Sequence, residues 1–166
     1  MASDARSVPE RRGDAGAPPV SSGSFAAVRL EPGEDLILGL HRVREATGAR
    51  ALTIVTCVGS LTNVMIRHAN RPAGTRYQGH FEITSLVGTI DPAGEHVHLT
   101  ITDGEGRAYG GHLLPGSAVY TTAEIVLLIL NELDFARAPC PRSGYDELVV
   151  TRAPDKARTT SQGDPA

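Results

Sequence analysis

Tryptophan is absent, lysine occurs once, at Lys156, and cysteine occurs twice, at Cys57 and Cys140. The two cysteines lack Cys-x-x-Cys spacing and have no neighbouring histidine, so a disulfide framework is not expected and the cytoplasm is the default compartment. Cys57 lies in an apolar run and reads as a small core residue. No stretch approaches the eighteen or so apolar residues of a membrane helix; the longest run, Ala123 to Leu130, is interrupted by Glu124. The first twenty residues hold no apolar h-region, so no signal peptide and no membrane association are expected. An excess of positive charge is also missing. The formal net charge is −3. Between Ser24 and Thr151 there are 10 Arg and no Lys against 14 Asp and Glu, a balance of −4, which gives no electrostatic reason to bind nucleic acid directly. No Gly-x-Ser-x-Gly elbow exists. Gly104-x-Gly106 followed by Gly110-Gly111 lacks the strand-to-helix context of a dinucleotide loop.

What remains is the composition of a single globular domain, 40% hydrophobic and 21% charged. Residues 1–22 are rich in Ala, Gly, Pro, Ser and charge, without a period of 2 or 3.6, and read as a disordered tail; 152–166 read the same way. The domain is expected over 24–151. Ser24–Leu30 reads as a first strand. Glu34-Asp35 is expected to open a helix with acidic residues in its first turn, with Leu36, Ile37, Leu40 and Val43 on one face and Gly48 as its stop. His41 on this helix reads as a partly exposed surface residue. Ala51–Val58 and Leu61–Arg67 read as two strands separated by Gly59-Ser60. Arg76–Ile90 reads as one bent or bulged strand, and Asp91–Gly94 as a turn. Ser117–Leu133 favours a strand, Phe135–Ser143 a proline-containing loop, and Tyr145–Thr151 a short last strand.

The chemistry concentrates in Glu95–His112, which holds three of the six histidines. His96 and His98 are two apart on an alternating, β-branched segment and so share one face. Asp103–Gly106 supplies a turn and Gly110-Gly111 returns the chain to His112. A symmetric two- or four-residue loop would set His112 opposite Val97, on the wrong face. A three-histidine site therefore needs an odd loop or a bulge, which the glycines make sterically cheap. Such a site suits Zn²⁺ or another divalent transition metal. Glu124 is the candidate for a carboxylate behind the ligands or a general base, against the plainer reading of a polar strand residue. Asp103 reads as a turn stabiliser rather than a ligand. Arg67, His68, Arg71 and Arg76 form a basic loop that reads as a solvated surface.

The order Gly59-Ser60-Leu61, Phe81-Glu82-Ile83-Thr84-Ser85-Leu86-Val87-Gly88, His96-x-His98, Asp103-x-x-Gly106, Gly110-Gly111-His112-Leu113, Thr122-Ala123-Glu124-Ile125 and Gly144-Tyr145-x-Glu147-Leu148 resembles the plant and prokaryote conserved domain. In plants that domain follows AT-hook motifs, which this chain lacks, so it resembles the stand-alone prokaryotic members. The resemblance implies an α/β fold of α+β type: a twisted, mostly antiparallel sheet of about seven strands packed with one main helix, assembled as a homotrimer. It also implies a metal site at His96, His98 and His112. The function expected from it is a trimeric, metal-binding assembly or regulatory module, associated with DNA through partners. The alternatives are a metal-dependent enzyme acting on a small molecule at a subunit interface, and a direct DNA-binding protein. A non-enzymatic role is favoured over catalysis.

Overall fold

The computed structural model describes residues 17–154. Eight strands and one helix follow in the order β1 (Gly23–Leu30), α1 (Leu36–Thr47), β2 (Leu52–Arg67), β3 (Thr75–Asp91), β4 (Gly94–Thr102), β5 (Ala108–Leu113), β6 (Ala118–Leu130), β7 (Leu133–Pro139) and β8 (Asp146–Arg152). Every strand pairing is antiparallel. Six strands form one sheet in the order β1-β6-β2-β3-β4-β5, and β7 and β8 form a separate ribbon. The class is α+β, as expected, with one strand more than the seven foreseen.

The extra strand is β7. Phe135–Ser143 was expected to be loop because of its prolines. Those prolines fall at the strand's end and beyond it, and Leu133 to Pro139 pair residue by residue with Arg152 to Asp146. A second correction concerns β2, which runs unbroken through Gly59-Ser60. Gly59 marks a close approach rather than a break: a Cβ there would stand 2.1 Å from the Thr122 carbonyl oxygen of β6. The bent strand expected over Arg76–Ile90 is present as β3, with its register against β4 shifting between Ile83 and Ser85.

Helix α1 begins at Leu36, two residues after the expected start at Glu34. Asp35 is the N-cap, with its carboxylate accepting from the Leu38 amide at 3.0 Å, and no acidic residue occupies the first turn. The other Asp35 oxygen accepts from Gly116 and Ser117 at 2.7 and 3.1 Å, tying the helix start to the chain entering β6. Leu36, Ile37 and Leu40 are buried against the sheet, and Gly48 ends the helix in the left-handed region at φ 63°. Among the described residues no helix is long and apolar enough to cross a membrane.

The core lies on the inner face of the sheet, where Leu61, Val64, Ile66, Val97, Leu99, Ile101, Leu113, Ile125 and Leu127 are all essentially buried. At its end β2 leaves β6 and pairs with β5, Ile66 with Leu113 and Arg67 with His112. That pairing closes β2, β3, β4 and β5 into a ring. A smaller cluster of Ala51, Leu133 and Phe135 seats the β7–β8 ribbon. Of the expected tails, residues 1–16 and 155–166 lie outside the described residues. Ser21 and Ser22 are fastened to the body, their hydroxyls donating to the Glu132 carboxylate at 2.6 and 2.5 Å.

Candidate metal centre

Strand alternation turns Val97, Leu99 and Ile101 into the core and leaves His96 and His98 on the outer face of β4. The turn to β5 decides whether His112 joins them. Thr102 pairs with Ala108, so the loop consists of Asp103, Gly104, Glu105, Gly106 and Arg107, an odd number. That loop sets His112 directly opposite His98, on the same face.

Asp103 builds the loop rather than binding outside it. Its Oδ1 accepts from the Glu105 and Arg107 amides at 3.0 and 2.9 Å, and its Oδ2 from Arg107 Nε at 2.8 Å and the Tyr109 hydroxyl at 3.2 Å. The Arg107 guanidinium, followed by the backbone amides, holds its carboxyl at about 2. Gly106 takes φ 78°, a conformation that suits glycine.

The three imidazoles offer ligand nitrogens that all lie within 4.8 Å of one another. His96 Nε2 and His98 Nε2 are 3.3 Å apart. Zn–N bonds of about 2.0–2.1 Å at a tetrahedral angle place neighbouring nitrogens roughly 3.3–3.4 Å apart, so this pair already has the spacing of two ligands on one ion. Ring centroids lie 5.1 to 5.7 Å apart with the planes steeply inclined, so the rings converge by their edges rather than stacking. Burial, then the neighbouring His98 and Arg137, push the His96 ring below its ordinary basicity; burial and then Arg67 do the same for His112. A lowered imidazole is neutral at neutral pH and free to donate to a cation. The donor set therefore fits a divalent transition ion with a preference for imidazole.

Register also identifies what surrounds the triad. Arg67 pairs with His112, and Thr89 of β3 pairs with His96, so both share the outer face. Over this face the β7–β8 ribbon folds down, leaving a cleft of about 400 Å³ lined by Arg67, Glu95, His96, His112, Arg137 and Glu147 among others. Arg137 fastens the ribbon. Its Nε donates to Asp91 Oδ2 at 3.0 Å and its Nη2 to Thr89 Oγ1 at 3.1 Å. Asp91 is fully buried, and its other oxygen accepts from the Ala93 and Gly94 amides at 2.8 and 3.1 Å. Glu95, on the opposite face from the triad, is held by His41 of α1 at 2.6 Å.

Glu124 does not take the place foreseen for it. It is exposed on β6, opposite Arg29 and Val58, and β2 and β3 separate β6 from β4. Within one chain it is a surface strand residue. Arg67 leaves the basic loop and enters the cleft, while His68 is engaged by the Gly110 carbonyl at 3.0 Å and the Tyr109 neighbour Tyr77 at 2.8 Å. Arg137, Glu95 and Glu147 were not foreseen as site residues. Glu147 had a signal, its place in Gly144-Tyr145-x-Glu147-Leu148, whereas Arg137 sat in a segment read as loop.

Fold and site together define a small α+β protein with a surface triad of imidazoles beside a cleft of mixed charge. A family model for the Plants and Prokaryotes Conserved (PCC) domain matches residues 18–131, and the chain belongs to that family. The bifunctional protein GlmU of Synechococcus sp. (strain JA-3-3Ab) is 38% identical over 157 residues, covering 89% of this chain and 25% of that protein. The chain thus spans about a quarter of the length of the curated relative it matches. A hypothetical protein from Salmonella cholerae-suis superposes with a TM-score of 0.79 at 43% identity, over 81% of this chain and 97% of that one. The metal-containing protein AF0104 from Archaeoglobus fulgidus shares the fold, with a TM-score of 0.63 at 24% identity over 79% and 95% of the two chains.

Proposed function

We propose that the chain is a metal-binding assembly module in which His96, His98 and His112 hold one divalent transition ion, zinc being the best match to three imidazoles. The observation that carries this reading is the convergence of three ring nitrogens within 4.8 Å on a face built by strand register. The metal-containing neighbour from Archaeoglobus fulgidus supports it. A bound ion would lower the pKa of a water in its remaining position.

Assembly as a homotrimer belongs to the same reading. Phe25 and Val58 are 70% and 61% exposed. Phe25 pairs with Leu128, and Val58 with Glu124, so these residues and Val126 share the outer face of β1, β6 and β2. Apolar surface of this kind is covered by a partner in most soluble proteins. A cytoplasmic location is consistent with two free thiols, Cys57 and Cys140. Any association with DNA runs through partners, since the charge balance offers a duplex no attraction.

Metal analysis after dialysis tests the site: about one zinc per chain is the expected result, falling to near zero in His96→Ala/His98→Ala. Retention of zinc by that variant would remove the site. Light scattering tests the trimer, and a monomeric mass for the wild type would sink it. A second reading, small-molecule chemistry at the ion, is favoured by the cleft of about 400 Å³ at the triad's side.

A further inference from the structure

We propose that the cleft beside the histidine triad receives a small oxyanion, a carboxylate or phosphate group, gripped by Arg67 on one side and by the ion at the triad on the other. The proposal rests on the reading of the triad as an ion site and adds what that site takes.

Arg67 is placed for this role by the closing of the ring. It stands directly across from His112 on the outer face, at the seam of β2 and β5, and it lines the same cleft as His96 and His112. The position depends on Gly111, where a Cβ would lie 2.7 Å from the Arg67 carbonyl oxygen. Of the other charged residues that line the cleft, Arg137 and Glu95 are already paired, while Asp146 and Glu147 have no ion-pair partner among the described residues. Arg137 is paired with buried Asp91, and Glu95 with His41. Among the described residues Arg67 has no carboxylate within ion-pair distance. Asp146 and Glu147 line the cleft from β8; both are solvent-exposed and neither is within ion-pair distance of Arg67.

The consequence is electrostatic. A divalent ion on three neutral imidazoles keeps its full charge, and Arg67 adds a like charge beside it. Arg67 stands directly across the seam from His112, so its positive field opposes an ion on the triad. An oxyanion between the two removes that conflict, and the planar guanidinium matches its oxygens in a two-pronged contact. The cleft volume, about 400 Å³, lies at the small end of the roughly 300–1,000 Å³ range of small-molecule sites.

The test uses the full chain loaded with Co²⁺, whose visible absorption reports a change in its ligands. Co²⁺ is titrated first, then inorganic phosphate and acetate separately, in wild type and Arg67→Gln. The expected wild-type result is one Co²⁺ per chain and a saturable spectral change with at least one anion; the tighter of the two names the group. In Arg67→Gln the anion weakens about 10- to 100-fold, the range for a lost charge-assisted contact. Co²⁺ meanwhile binds more tightly, because a like charge is gone. Opposite changes in the two affinities do not arise from misfolding. Co²⁺ binding with no spectral response to either anion, or with equal anion affinity in Arg67→Gln, overturns the oxyanion site and leaves the ion site standing. Failure of the wild type to bind Co²⁺ overturns the ion site and this proposal with it.

Discussion

Replacing Arg137 by methionine leaves the Asp91 carboxylate in the protein interior without its cation. Asp91 is fully buried and the Arg137 side chain is 15% exposed, so solvent does little to screen the charge that remains. Removing one partner of a buried pair costs about 3–5 kcal/mol. Here Asp91 keeps two backbone donors, from Ala93 and Gly94, which offset part of the loss and point to the low end, about 3 kcal/mol. Urea unfolding followed by circular dichroism reads this directly. With a slope of about 2 kcal/mol/M, the midpoint falls by about 1.5 M. Hydrogen exchange supplies a second readout, because Arg137 is the only ion pair joining the β7–β8 ribbon to β3 among the described residues. Amides of Ala136, Val149 and Thr151, which belong to the hydrogen-bonded pairs of the ribbon, therefore lose protection ahead of those in β2. Adding Asp91→Asn to the methionine variant removes the orphaned charge and recovers part of the loss. A midpoint shift below about 0.3 M, with unchanged ribbon exchange, would refute the assignment of Arg137 as the clasp over the cleft.

Three further outcomes follow from the same geometry. Gly111→Ala pushes a methyl into the Arg67 carbonyl and the Ile66 side chain, so a stability loss of about 2 kcal/mol by urea unfolding is expected, with ion affinity reduced as the seam reopens. Asp35→Ala removes both the α1 cap and the clamp on Gly116-Ser117, costing about 1–2 kcal/mol; a loss under about 0.3 kcal/mol would show the cap to be idle. The metal-free protein loses stability in acid, beginning near the ordinary imidazole value of 6.5. In the folded chain His96 and His112 titrate lower, so the unfolded chain takes up protons first and stability falls as pH drops through that window; above it the two rings contribute no slope. His96→Ala/His112→Ala should flatten this limb of the stability–pH curve, and an unchanged limb would mean that other groups cause it.

The triad was legible because its geometry is local. Alternation fixed His96 and His98 on one face, and the odd loop needed for His112 was consistent with the glycines on both sides of the turn. The strands were harder. Gly59 looks like a break to any reading that weighs glycine as punctuation, yet the chain continues because a neighbouring strand needs the space of a Cβ. β7 was hidden because its hydrogen-bonding partner, β8, lies beyond a proline-containing turn, and pairing rather than propensity makes it a strand. Glu124 illustrates the same limit from the other direction. Its residue type suited a metal site, but only the order of the strands could show that two of them intervene. Arg67 and Arg137 reach the cleft through a ring closure and a ribbon docking, both long-range events with no periodic trace in the sequence.

That contrast between local and distant parts has a consequence for the nascent chain. His96 and His112 are joined by one short hairpin, so β4 and β5 can present all three rings as soon as they leave the ribosome. Arg67 arrives beside them only when β5 finds the end of β2, a pairing that must wait for the loop between them to close. An ion bound by the hairpin would thus be a template for what folds after it, with Arg67 set beside it once the ring closes.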